Sequence, residues 1–223
     1  HAQVGDYVVF SQDKQLFLLR VADKNESVLT LEEASLPELI APKPFNAQAW
    51  LNSHAPHHTS WVIERFDLHT GKLLSSYSYA THEYLSQEPL VSFLPTLLKL
   101  PLEKVSDQER KKIGPEPLPG EPDTRKTWQP KIYFNDEEQS TQTTVYKVRW
   151  PNDGSDLSGK AIFLYFPETS SSLTYFPYLV EISGSVYKIK ARVINSGRSL
   201  SSPASEPAET TTEKTAEKTA TDQ

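Results

Sequence analysis

GDYVVFSQDKQLFLLRVADKNESVLTLEEA, residues 5–34, decides the fold class: three runs rich in Val, Phe, Tyr and Leu are separated by the polar clusters SQDK and DKNE. β-Branched and aromatic side chains suit the pleated, half-buried surface of a strand, whereas clusters of Asp, Asn and Lys suit tight turns. The stretch therefore reads as strands over 5–10, 15–21 and 27–34, the opening of an antiparallel meander. Glu32 and Glu33 are neighbours on the third strand, so their carboxylates point to opposite faces.

Working outward, Pro42 and Pro44 break the chain, and Asn46 is placed to cap one short helix carrying Trp50 and Leu51. SWVIERFDL (60–68) and KLLSSYSYA (72–80) form a hairpin around HTG, where Gly71 can take the positive φ of the loop. Leu73, Tyr77 and Tyr79 are expected to share its inward face. Residues 89–113 are the substantial helical candidate. Leu90, Phe93, Leu94, Leu97 and Leu98 recur at helical spacing, and Ser106 with Glu109 makes a capping box for a second helix that Gly114 ends. PEPLPGEP (115–122) is too rich in proline for either regular element and reads as an extended surface connection.

Further strands are expected over 131–135, 143–150, 160–166, 174–183 and 185–194. The last alternates Tyr187, Ile189, Ala191 and Val193 with Lys188, Lys190 and Arg192, a half-buried antiparallel pattern. From residue 199 the chain has almost no large apolar side chain and cannot offset its ordering entropy. The expected architecture is mainly β with minor α. A single domain over 1–198 forms a curved antiparallel sheet or half-barrel with short helices as lid or plug, and 199–223 is a disordered tail.

Composition narrows the function. The chain holds no cysteine and no methionine, and carries a net charge of -6 over 223 residues. Disulfides, thiolate metal sites and a cysteine nucleophile are thereby excluded. A numbering that begins at His1 without any methionine leads to the expectation of a processed, exported protein. The most apolar run, PLVSFLPTLLKLPL (89–102), is too short for a transmembrane helix and is interrupted by Ser92, Pro95, Lys99 and Pro101. The acidic balance and the lack of any zinc-finger or RNA-binding signature argue against nucleic acid as a partner.

HAPHH, residues 54–58, is the one stretch dense in metal-ligand chemistry. A catalytic zinc needs about three protein ligands and an open position. Adjacent side chains at His57 and His58 diverge, Pro56 stiffens the loop, and His54 alone cannot complete the set. The better reading is a surface loop in which His58 bonds locally, and a metal-assisted hydrolase at His54, His57 and His58 is the third-ranked function. No GxSxG elbow or glycine-rich phosphate loop occurs, and no cofactor is expected. The aromatic residues speak more clearly. Trp61, Tyr77, Phe93, Phe163, Phe166 and Phe176 are the expected lining of an apolar hollow. Lys147, Arg149, Lys188, Lys190 and Arg192 are the expected basic docking face.

The long run of antiparallel strands with short helices resembles the periplasmic lipoprotein carriers of the LolA and LolB kind. That resemblance implies a half-barrel closing over acyl chains and assigns 89–113 to the lid or plug. HTSWVIERFDLHTGKLLSSYSYA (58–80), ERKKIGPEPLPGEPDTRKTW (109–128), WPNDGSDLSGKAIFLYFP (150–167) and VINSG (193–197) resemble an uncharacterised secreted family of intracellular Gram-negative bacteria, over residues 4–198. It implies export and offers no catalytic residue to carry over. The expected function is an exported, non-enzymatic protein that binds a lipid or lipoprotein acyl chain. The alternative is a module that docks an envelope protein through the basic face.

Overall fold

The structure is a computed structural model that describes residues 2–85, 96–97, 99–168, 173–183 and 188–204. Its strands are β1 (Tyr7–Gln12), β2 (Gln15–Lys24), β3 (Val28–Pro37), β4 (Ser60–Asp67), β5 (Leu73–Ser78), β6 (Glu83–Tyr84) and β7 (Glu103–Lys104), followed by β8 (Ile132–Phe134), β9 (Glu137–Gln139), β10 (Thr143–Arg149), β11 (Ala161–Pro167), β12 (Leu179–Ser183) and β13 (Lys188–Gly197). A short helix, α1 (Ala47–Asn52), is capped by Asn46, whose side chain accepts from the Ala49 amide.

Eleven strands form one open antiparallel sheet in the order β6-β5-β4-β3-β2-β1-β13-β12-β11-β10-β7, and β8 and β9 pair separately. The opening stretch forms the meander that its turn residues dictate. Asp13 and Lys14 both take positive φ, 49° and 65°, in the tight two-residue connection between β1 and β2. The first and last strands in sequence, β1 and β13, pair with each other, Tyr7 against Gly197 and Ser11 against Arg192. Two meanders are thus joined at the middle of the sheet by β1 and β13.

Both faces are packed. On the front, Leu16, Leu18, Ala34, Leu36 and Trp61 are covered by α1 and its flanking loops. Further along that face Val105 and Trp128 lie over Val145, Tyr165 and Leu179. The back carries Ile162 and Leu164 beneath Leu97, Val8 and Val193 beneath Leu173 and Ile132, and Val21 and Leu31 with Phe66.

Three expectations are corrected. Ser106 and Glu109 do form a capping box, with Ser106 Oγ donating to Glu109 at 2.8 Å, but it closes a turn and no helix follows. The chain beyond it is held extended, because Trp128 N–H donates to the Lys111 carbonyl and Ile113 N–H to that of Lys126. The strand expected over 174–183 begins only at Leu179, because Phe176 N–H turns back to the Leu173 carbonyl. In β5 a bulge sets Leu73 opposite Phe66, so Leu73 packs on the back while Tyr77 faces the front opposite Ile63. Of the helical segment expected over 89–113, residues 89–95 and 98 lie outside the described residues, while 96, 97 and 99 are helical.

The chain stays packed past the end of β13. Leu200 is only 5% exposed, and Ser201 exchanges hydrogen bonds with Gln48. Of the tail expected from 199, residues 205–223 lie outside the described residues.

Candidate functional site

The back of the first meander holds a cavity of about 350 Å³. Its floor follows from register. Val8 stands opposite Leu19 and Val21 opposite Leu31, while Leu29 stands opposite Phe66, so these apolar side chains emerge on one face. Leu173, Tyr175 and Phe176 form a wall. That wall is anchored by Tyr178, which is fully buried, accepts from the Leu173 amide and bonds Ser196 Oγ.

The rim is the β4–β5 connection. The Asp67 carboxylate accepts from Thr70 N–H at 2.6 Å, Thr70 O–H and His69 N–H, and Gly71 takes φ of 65° to close the loop. Those bonds, chiefly from Thr70, hold the Asp67 carboxyl below its ordinary range. Lys99 and His69 complete the rim, both exposed.

One charged side chain lies deep in the wall. Asp6 is 3% exposed, and its Oδ2 accepts from Gln3 N–H at 2.7 Å and from the Tyr175 hydroxyl. Oδ1 is buried without a hydrogen-bond partner among the described residues, and Arg198 Nε stands 3.8 Å from it. Burial, then the bond to Asp6, pushes the Tyr175 hydroxyl well above the usual phenol range. On the same face Glu33 and Glu64 are half-buried, and burial raises both carboxyls, with Glu64 adding repulsion at Glu33.

Of the six aromatic residues expected to line one hollow, the five that are described are dispersed. Among those five, Phe176 alone reaches the cavity. Trp61 is on the front face, where it donates to Glu32, and Tyr77 sits in an aromatic chain with Tyr79 and Tyr84 at 5.2 Å spacings. Phe163 also faces front, with Lys147 Nζ 5.8 Å from its ring. Phe166 is on the back but packs edge-on against Tyr146 in the second meander. Phe93 lies outside the described residues.

Lys147, Arg149, Lys190 and Arg192 emerge on one face of the sheet. Register aligns Lys147, Phe163, Glu181 and Lys190 across four strands, and Arg149 is placed two residues along β10 from Lys147. Much of the charge is met locally. Lys190 pairs with Glu181 at 2.8 Å, Lys147 stands opposite Glu103, and Arg149 donates to the Gly159 carbonyl. Arg192 is exposed, opposite Leu179, and Lys188 begins β13 opposite Ser183.

His54 and His57 are exposed, both at φ of 60°, and His58 Nδ1 bonds the Ala55 carbonyl at 2.9 Å. Among the described residues no group of three His, Cys, Asp or Glu side chains is arranged to hold a metal ion. No described helix is long and apolar enough to cross a membrane.

Sequence reasoning missed the cavity's floor and Asp6. QLFLLRV is apolar at both parities, so alternation could not say which side chains face the cavity. Asp6 offers no signal until Tyr175, 169 residues away, is brought to it.

The sequence profile of the CT021 protein family matches residues 17–139, more than half of the chain. A solved 2.0 Å structure described as the hypothetical protein CT021 from Chlamydia trachomatis is similar over 92% of this chain and 93% of that one, with a TM-score of 0.64 and 20% identity. That likeness carries the fold alone. No curated protein matches the chain.

Proposed function

We propose that this chain, which belongs to the CT021 family, binds an apolar or amphipathic ligand, without chemistry, in the cavity behind its first meander. The observation that carries the reading is the cavity of about 350 Å³ between the apolar floor of Leu19, Val21, Leu31 and Phe66 and the wall of Leu173 and Phe176. Ligand pockets run from about 300 to 1,000 Å³, so the space suits a single short chain or a small ring system. Each buried methylene of a ligand would contribute roughly 0.8 kcal/mol before ordering costs. A lipid or the acyl chain of a lipoprotein fits that chemistry, and an exported carrier in the cell envelope, of the kind the LolA-like sequence pattern suggests, is the particular form of this reading.

A titration with the apolar fluorophore N-phenyl-1-naphthylamine tests it. Saturable one-site binding is expected, weakened about tenfold by Val21→Phe, which fills the floor, and unchanged by Leu39→Phe on the surface. Equal binding by the wild type and Val21→Phe, or no binding at all, refutes the reading.

A further inference from the structure

From the buried carboxylate of Asp6 in the cavity wall we infer that the ligand is an amphiphile whose head group donates a hydrogen bond and carries no negative charge, an alcohol or an amine on an apolar chain. The inference rests on the reading of the cavity as a ligand site and specifies its occupant. Asp6 is buried, and while Oδ2 has two donors, Oδ1 has no hydrogen-bond partner among the described residues. Its nearest cation, Arg198, stands 3.8 Å away with its side chain 50% exposed, so much of that charge is screened by solvent.

A buried acceptor without a donor is costly, and because Oδ1 has almost no accessible surface, the Asp6 carboxylate turns towards the cavity to meet a ligand donor that relieves the cost. The same carboxylate acts through a poorly screening interior on any head group placed near it, and repels an anion. The groups that could draw an anion, Lys99 and His69, stand exposed at the rim, where water weakens their pull. Asp67, also at the rim, adds negative charge and is already held by Thr70 and His69. Depth thus favours the donor head and disfavours a fatty-acid carboxylate.

The test compares three chain-matched probes, decan-1-ol, decylamine and decanoate, by calorimetric titration of the full chain at neutral pH below their aggregation limits. Decanoate should bind at least about tenfold more weakly than the better of the other two, and Asp6→Asn should narrow the gap to within about threefold. Which of the alcohol and the amine binds better identifies the head group. Should Asp6→Asn fail to fold, Tyr175→Phe replaces it: removing the hydroxyl leaves Oδ2 with the Gln3 N–H alone and opens a second acceptor position, and the gap should widen. Decanoate binding as tightly as decan-1-ol overturns the inference and leaves the cavity reading standing, as does a gap that neither variant moves. Failure of all three probes removes the cavity reading and this inference with it.

Discussion

Glu32 is fully buried on the front face, yet three donors converge on its carboxylate: Arg20 Nε at 2.7 Å, Trp61 Nε1 at 2.8 Å and Ser202 Oγ at 2.6 Å. Removing one partner of such a pair strands the other's charge, so Glu32→Ala should cost about 3 to 5 kcal/mol in urea unfolding. Replacing Arg20 and Glu32 together by Met and Leu should cost distinctly less. Equal costs would mean that the pair is not coupled. Glu33, one residue on, is the converse case. Burial and the nearby Glu64 raise its carboxyl, so ionisation is harder in the folded than in the unfolded chain. The native state is unpenalised below the ordinary glutamate value of about 4.3, and stability falls as pH rises through the raised folded value. Glu33→Gln should therefore raise the thermal midpoint at neutral pH and flatten the decline between acid and neutral. A wild type whose stability climbs over that window, with no gain in the variant, would contradict it. Strand alternation alone shows that Glu32 and Glu33 face apart. It does not show that one meets an arginine and the other a second carboxylate, because that depends on which strands become neighbours.

The histidine loop is an element-scale feature before it is a chemical one. Ala55 N–H donates to the Trp50 carbonyl and His54 N–H to that of Leu51, the paired bonds of a Schellman ending to α1, with His54 in the left-handed position at φ of 60°. The fully buried Ala55 packs in one cluster with Trp50, the apolar contact that accompanies this motif. Glycine tolerates that conformation without a Cβ penalty, so His54→Gly should stabilise the protein by about 0.5 to 1 kcal/mol in thermal or urea unfolding. A loss of stability would show that the imidazole, and not the backbone, matters at this site. Asn46, Trp50 and Leu51 made α1 legible because its cap and its apolar face are both local. The 106–113 helix was misread for the opposite reason. Its capping box is real, but the pairing of Lys111 and Ile113 with the 126–128 stretch competes for the same backbone groups and wins.

At the scale of the whole molecule, most strands lie beside their neighbours in sequence, which is why the opening meander could be read from its turn residues. The junction of β1 with β13 could not, because no local signal says that strands so far apart in sequence meet in the middle of the sheet. The residues after β13 reinforce that junction. Leu200 N–H donates to the Gly5 carbonyl, the Leu200 side chain is buried with Leu16 and Trp50, and its carbonyl accepts from Arg20 Nη1 while Ser202 reaches Glu32. Gly5 is required there: at φ of 88°, an added Cβ would come within 2.9 Å of the Ser199 backbone. Burial of one leucine is worth about 1.5 to 3 kcal/mol, and each hydrogen bond lost from a buried polar group adds about 1 kcal/mol. Chains ending at Ala204 and at Gly197 should accordingly differ by about 3 to 5 kcal/mol in urea unfolding, the shorter being the weaker. Leu200→Ala in the full chain should recover about half of that difference or more, because it removes the apolar burial and keeps the backbone bonds. If the two truncated chains unfold together, the segment merely lies on the sheet, and the clasp between the two meanders resides in the β1–β13 ladder alone.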